Sequence, residues 1–133
     1  MRSIKWFILI ISCFFYTNIY AAKVSPVSYT EDQLNIIVTK DQSQFVIQLK
    51  SNPTTGYNWF LRDYDAKLIT PLKYKYEAPN NKIMGASGSD TWTFSVKPTA
   101  FIVPQMMQIR FIYTRPWETQ EEVKQLVFWV FTH

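Results

Sequence analysis

Few residues in this sequence can do covalent or acid–base chemistry. The chain has 133 residues, among them one cysteine and one histidine. Cys13 lies in an apolar N-terminal run, and His133 is the last residue. Nucleophilic catalysis needs an activated side chain with a partnered base, and histidine is the commonest proton carrier near neutral pH. A lone histidine at a chain end, far in sequence from the lone thiol, meets neither need. A disulfide needs a second cysteine, and a thiolate metal site needs several. The chain therefore reads as a non-enzyme, with no catalytic residue, no metal and no cofactor.

What the residues can do is recognise. Asn52-Pro53-Thr54-Thr55-Gly56-Tyr57 holds two β-branched residues between a proline that fixes φ and a glycine that permits positive φ. Gly85-Ala86-Ser87-Gly88 is small and open, so another backbone can approach it closely. Arg115-Pro116-Trp117 sets a guanidinium and a large aromatic, two residue types that often anchor interfaces, either side of a proline. Each segment alone also fits a plainer description: a generic turn, a flexible loop, an aromatic folded back on the core.

Strands must position these segments, because the periodicity around them is two. Phe45, Ile47 and Leu49 alternate with Gln44, Gln48 and Lys50, with Val46 the one apolar exception. Trp92, Phe94 and Val96 alternate with Thr91, Thr93, Ser95 and Lys97, and Met107, Ile109, Phe111 and Tyr113 alternate around Gln108 and Arg110. Further strands are predicted at Leu34–Thr39, Tyr57–Arg62, Leu72–Tyr76 and Gln125–Thr132. The last is apolar on both faces, which predicts a central strand. No window forms a convincing amphipathic helix, and the charged Glu118–Gln125 reads as a solvated hairpin loop. Seven short strands predict an all-β, seven-stranded immunoglobulin-like β-sandwich, without the cysteine and tryptophan pattern of antibody domains. In such a sandwich the loops after the second, fourth and sixth strands leave at one end. Those loops are the three segments, and together they make a binding surface.

The first stretch belongs to another role. Arg2 and Lys5 precede the uncharged run Trp6–Phe15, and small residues follow at Ala21-Ala22. A basic start, an apolar middle and a small-residue exit predict a signal peptide over 1–21, with cleavage after Ala21 or Ala22. The run is short for a span of about 20 apolar residues. Two alternatives stand beside cleavage: an uncleaved anchor, and acylation at Cys13, since Ile10-Ile11-Ser12-Cys13 resembles a lipobox. The protein is expected to be secreted or periplasmic, with residues 22–133 as one domain. The net charge of +4 falls by two with Arg2 and Lys5, and no basic block stands out. Nucleic acid and anionic membrane surfaces are therefore not expected as partners.

The three segments, taken in order, resemble the signature of the chagasin family of cysteine-protease inhibitors: NPTTG-aromatic, GxGG, then RPW. Leu49-Lys50-Ser51 before the first segment, Trp59 after it and Trp92-Thr93-Phe94 after the second extend the likeness across most of the chain beyond the leader. Ser87 departs from the pattern, which has glycine there, and brings a Cβ and a hydroxyl to an otherwise bare loop. The resemblance implies a monomeric, reversible inhibitor whose partners are papain-like cysteine proteases. It implies that Asn52–Tyr57 covers the enzyme's catalytic centre with Thr54 and Thr55 nearest the thiolate. Gly85, Ala86, Ser87 and Gly88 would line the non-primed side, and Arg115, Pro116 and Trp117 the primed side. Two rival readings use the same loops differently: an adhesion module on the same sandwich, and an enzyme subunit or lipoprotein assembly factor.

Overall fold

The computed structural model describes residues 22–80, 83–118 and 123–133. The leader read at 1–21 lies outside them, as does the middle of the charged segment after the third loop. Eight strands are formed among the described residues: β1 (Val27–Thr30), β2 (Asn35–Val38), β3 (Gln44–Ser51), β4 (Asn58–Tyr64), β5 (Ile69–Glu77), β6 (Gly88–Val96), β7 (Met106–Thr114) and β8 (Lys124–Thr132). They make two four-stranded sheets, ordered β1-β3-β6-β5 and β2-β8-β7-β4. Among the described residues, helical structure is limited to two 3₁₀ turns, Pro53–Thr55 and Pro98–Phe101.

Period-two patterning decides which face of each strand is buried. Phe45, Ile47 and Leu49 of β3 meet Phe94 and Val96 of β6, and across the gap Met107, Ile109 and Phe111 of β7 meet Phe128 and Val130 of β8. Phe45 stacks on Phe94 with centroids 5.5 Å apart, and Phe111 sits edge-on to both Phe94 and Phe128. Full burial of one such ring contributes about 2–3 kcal/mol. This aromatic interior stands in for the disulfide that one cysteine cannot form.

The all-β sandwich matches the reading of the sequence, with one strand added. β1 pairs in parallel with β3, Val27 opposite Phe45. Two of its four residues are exposed and two half-buried, and only two side chains are apolar, so periodicity carries almost no signal for it. β8 lies between β2 and β7, as an apolar central strand should. Its outward residues Trp129 and Phe131 nevertheless keep contact with solvent.

Register brings the three loops to one pole. Ser51, the end of β3, pairs with Gly88, the start of β6, and Glu77, the end of β5, pairs with Ser89. In the other sheet, Asn58 at the start of β4 pairs with Thr114 at the end of β7, and Tyr113 pairs with Lys124. The β3–β4, β5–β6 and β7–β8 connections thus leave the same end. The opposite end carries the turn at Thr39–Gln42 and the backbone bonds that join Lys97 to Leu68 and Val96 to Ser43. Residues Ala22–Pro26 line a cavity with Asp41–Gln44 at that far pole.

Candidate functional site

The first loop is built by its own sequence. Pro53 opens a 3₁₀ turn, and Gly56 closes it at φ 81° with its amide bonded to the Pro53 carbonyl at 3.0 Å. Positive φ strains any residue with a Cβ, so glycine is the residue that fits. Asn52 holds the tip from below. Its Oδ1 accepts from the Thr54 hydroxyl at 2.6 Å, and its carbonyl accepts from the Thr55 hydroxyl at 2.8 Å. The two threonines stand exposed at the apex while their hydroxyls are tied inward.

The third loop locks onto the first. Arg115 Nε donates to the Thr55 carbonyl at 3.1 Å, and its guanidinium lies 4.3 Å from the centre of the Tyr57 ring. Its Nη1 also donates to Glu118 Oε1 at 2.8 Å. The resemblance implies Arg115 as a primed-side contact; its Nε and Nη1 are engaged within the molecule, while the side chain stays 34% exposed. Here it acts as the clamp between two loops, and Trp117, 72% exposed, is the large side chain left facing outward. Trp117 still touches the first loop, since a Cβ on Gly56 would stand 2.9 Å from its ring.

Beneath this pair runs a stack that the sequence did not reveal. Tyr57 stacks on Tyr113 at 5.4 Å, Tyr113 packs against Trp59 at 4.9 Å, and Lys124 lies 5.6 Å from the Trp59 ring. With Arg115 above Tyr57, three rings are closed at each end by a cation. Aromatic pairs of this kind add about 0.5–1.5 kcal/mol each beyond their burial. Trp59 Nε1 donates to the Lys50 carbonyl at 2.9 Å, which ties the stack back to the strand entering the first loop. Tyr57, Trp59 and Tyr113 are all legible as strand residues; their contact across β4 and β7 needs the register.

The second loop joins through backbone. Gly88, expected within an open loop, is buried as the first residue of β6. A Cβ there would stand 2.5 Å from the Tyr76 hydroxyl and would collide with the Glu77 carbonyl, so close packing requires this glycine. Gly85 and Ser87 are exposed, and Ala86 is half-buried. The tip also presents Ile83 and Met84, the latter 98% exposed, neither of which carries a turn or motif signal in the sequence. Among the described residues, no group of three or more His, Cys, Asp or Glu is placed to hold a metal ion.

Two residues after Gly88, the buried Asp90 accepts a 2.6 Å hydrogen bond from the Tyr74 hydroxyl. Partial burial, that bond and the neighbouring Asp90 and Tyr76 charges push the Tyr74 pKa from 10.0 up to about 12. The protonated phenol is the form favoured in the folded protein. Its stabilising effect is complete below pH 10 and is lost as pH rises from 10 to about 12. Denaturant midpoints of wild type and Tyr74→Phe, measured across that window, should converge as pH rises. Curves that stay parallel up to pH 12 would count against this coupling.

Residues 38–130 match the family described as Chagasin family peptidase inhibitor I42. The chain belongs to the chagasin family. Chagasin of Trypanosoma cruzi is 31% identical over 75 residues, 53% of this chain and 64% of that relative. The alignment thus spans just under two thirds of the relative's length. Solved structures share the fold. The crystal structure of a cysteine protease inhibitor from Entamoeba histolytica superposes with a TM-score of 0.64, at 20% identity over 80% of this chain and 95% of that one. The solution structure of amebosin gives 0.61 at 23% identity, covering 82% and 99%. PbICP-C, solved in complex with falcipain-2, gives 0.53 at 16% identity, covering 84% and 95%. The segments Asn52–Tyr57, Gly85–Gly88 and Arg115–Trp117 lie within the matched residues and gather at one pole.

Proposed function

We propose that this protein is a reversible inhibitor of papain-like cysteine proteases that fills the active-site cleft with its three loops and is not itself an enzyme. The observation that carries the reading is the clamp of Arg115 on Thr55 and Tyr57, which fixes two loops as one rigid edge with Thr54 and Thr55 at its apex. Rigid loops lose little entropy on binding, so contact energy converts efficiently into affinity. Thr54 and Thr55 meet the catalytic cysteine and histidine, with Asn52, Pro53, Gly56 and Tyr57 holding them there. Gly85, Ala86 and Ser87 run along the non-primed side as a short added strand, and Gly88 anchors them in the sheet. Pro116 and Trp117 pack on the primed side, and Arg115 positions both neighbours. No bond is made or broken. Family membership supports this reading, as does the relative solved on a cysteine protease.

The leader reading places the protein outside the cytoplasm, secreted or periplasmic. The described chain starts at the pole opposite the loops, beside Asp41–Gln44. Purified protein mixed with papain and a fluorogenic peptide tests the proposal. Expected is stoichiometric inhibition that reverses on dilution and leaves the inhibitor uncut. Folded protein that fails to slow papain, cathepsin-like or falcipain-like enzymes at micromolar concentration overturns it.

A further inference from the structure

The outward face of the second sheet holds a concavity next to the third loop. Its volume is about 280 Å³, and Phe60, Arg62, Ile112, Pro116 and Glu118 line it. A β-bulge shapes it. Pairing of β4 with β7 runs through Phe60↔Ile112 and Leu61↔Phe111, then passes to Asp63↔Arg110, leaving Arg62 as the extra residue. Bulges re-aim a side chain and recur beside functional sites. Trp59, Leu61 and Tyr64 pack on the core. The bulge therefore turns two consecutive residues, Arg62 and Asp63, to the outside. Asp63 pairs with Arg110, so among the described residues Arg62 has no carboxylate partner.

The composition is that of a contact site. Phe60 is 38% exposed on an edge strand, and the nearly buried Ile112 forms an apolar floor. Aromatic residues and arginine are enriched where interfaces carry their energy. The one carboxylate on the rim, Glu118, is already held by Arg115. Pro116 and Glu118 belong to the third loop itself, so an enzyme that takes Trp117 along its primed side meets this concavity next.

We infer that the concavity is a second docking site for the target protease, receiving an apolar side chain that lies beside a carboxylate on the enzyme surface flanking the primed cleft. The inference rests on the inhibitor reading above. Enzymes that carry the pair gain a contact, and enzymes that lack it leave Arg62 solvated, so the site sorts proteases that share one catalytic centre.

The test compares wild type, Phe60→Ser and Arg62→Gln by dissociation rate from a panel of papain-like proteases, with melting temperature as the control for folding. Phe60→Ser should dissociate about 5–10-fold faster from at least one enzyme. Arg62→Gln should weaken the same complex, with the deficit shrinking at high salt as a charge contact does. Arg62 lies outside the core, so this variant decides the matter should Phe60→Ser prove unstable. Wild-type rates for the folded variants on every enzyme the wild type inhibits overturn the docking site and leave the inhibitor reading intact. A wild type that inhibits none of them overturns both.

Discussion

Replacing Thr54 and Thr55 together with glutamate is expected to lower affinity for papain at least a hundredfold while leaving the fold in place. Both side chains stand exposed at the apex of the first loop, where a closed complex would strip their water. A carboxylate buried without a partner costs several kcal/mol, and 1.4 kcal/mol is already tenfold in affinity. The same change in the free protein is cheap. It removes three hydroxyl bonds, two to Asn52 and one from the Tyr57 amide, all exposed, and exposed loop substitutions usually shift stability by about half a kcal/mol each. The measurement is the inhibition constant of the double variant beside its denaturation midpoint. Thr54→Ser with Thr55→Ser is the matched control, since it keeps both hydroxyls and should inhibit nearly as wild type does. A folded double-glutamate variant that still inhibits at wild-type strength would show that the first loop is not the wedge.

The apex was legible in the sequence because proline and glycine fix backbone geometry locally. Pro53 and Gly56 define a turn whatever surrounds them. The strands were legible for a similar reason: burial on one face writes a period of two into β3, β6 and β7. β1 was silent, since a parallel edge strand held mostly by backbone bonds needs no pattern. Long-range chemistry was silent too. Arg115 and Thr55 are 60 residues apart, and only the register of β4 against β7 shows that the guanidinium bridges the two loops. Gly88 failed in the other direction. It belongs to a glycine-bearing loop by sequence, but the Glu77 carbonyl packs so tightly on it that it is part of the sheet. The bulge at Arg62 is likewise invisible to periodicity, because an extra residue simply shifts the phase of the strand.

Trp117→Ala is expected to cost about 2 kcal/mol of binding, roughly thirtyfold, which is what truncation of a well-packed aromatic anchor commonly costs. The ring is poised for this role. One edge lies against Gly56, where an added Cβ would stand 2.9 Å away, and yet 72% of the residue faces solvent. Contact with the first loop restricts the ring before binding, so less entropy is lost when the enzyme closes over it. The loss should appear as faster dissociation, since truncating one loop barely changes diffusional encounter. Gly56→Ala reaches the same contact from the other side. It strains a backbone at φ 81° and displaces the tryptophan, so it should also weaken binding, with a larger fall in stability. In the double variant the clash disappears with the ring. The two losses should therefore add to less than their sum, because neighbours that share a contact are coupled. Dissociation rates for the four proteins from one papain-like enzyme complete the cycle. Strict additivity, or a Trp117→Ala complex as long-lived as wild type, means that the first and third loops do not act as one edge.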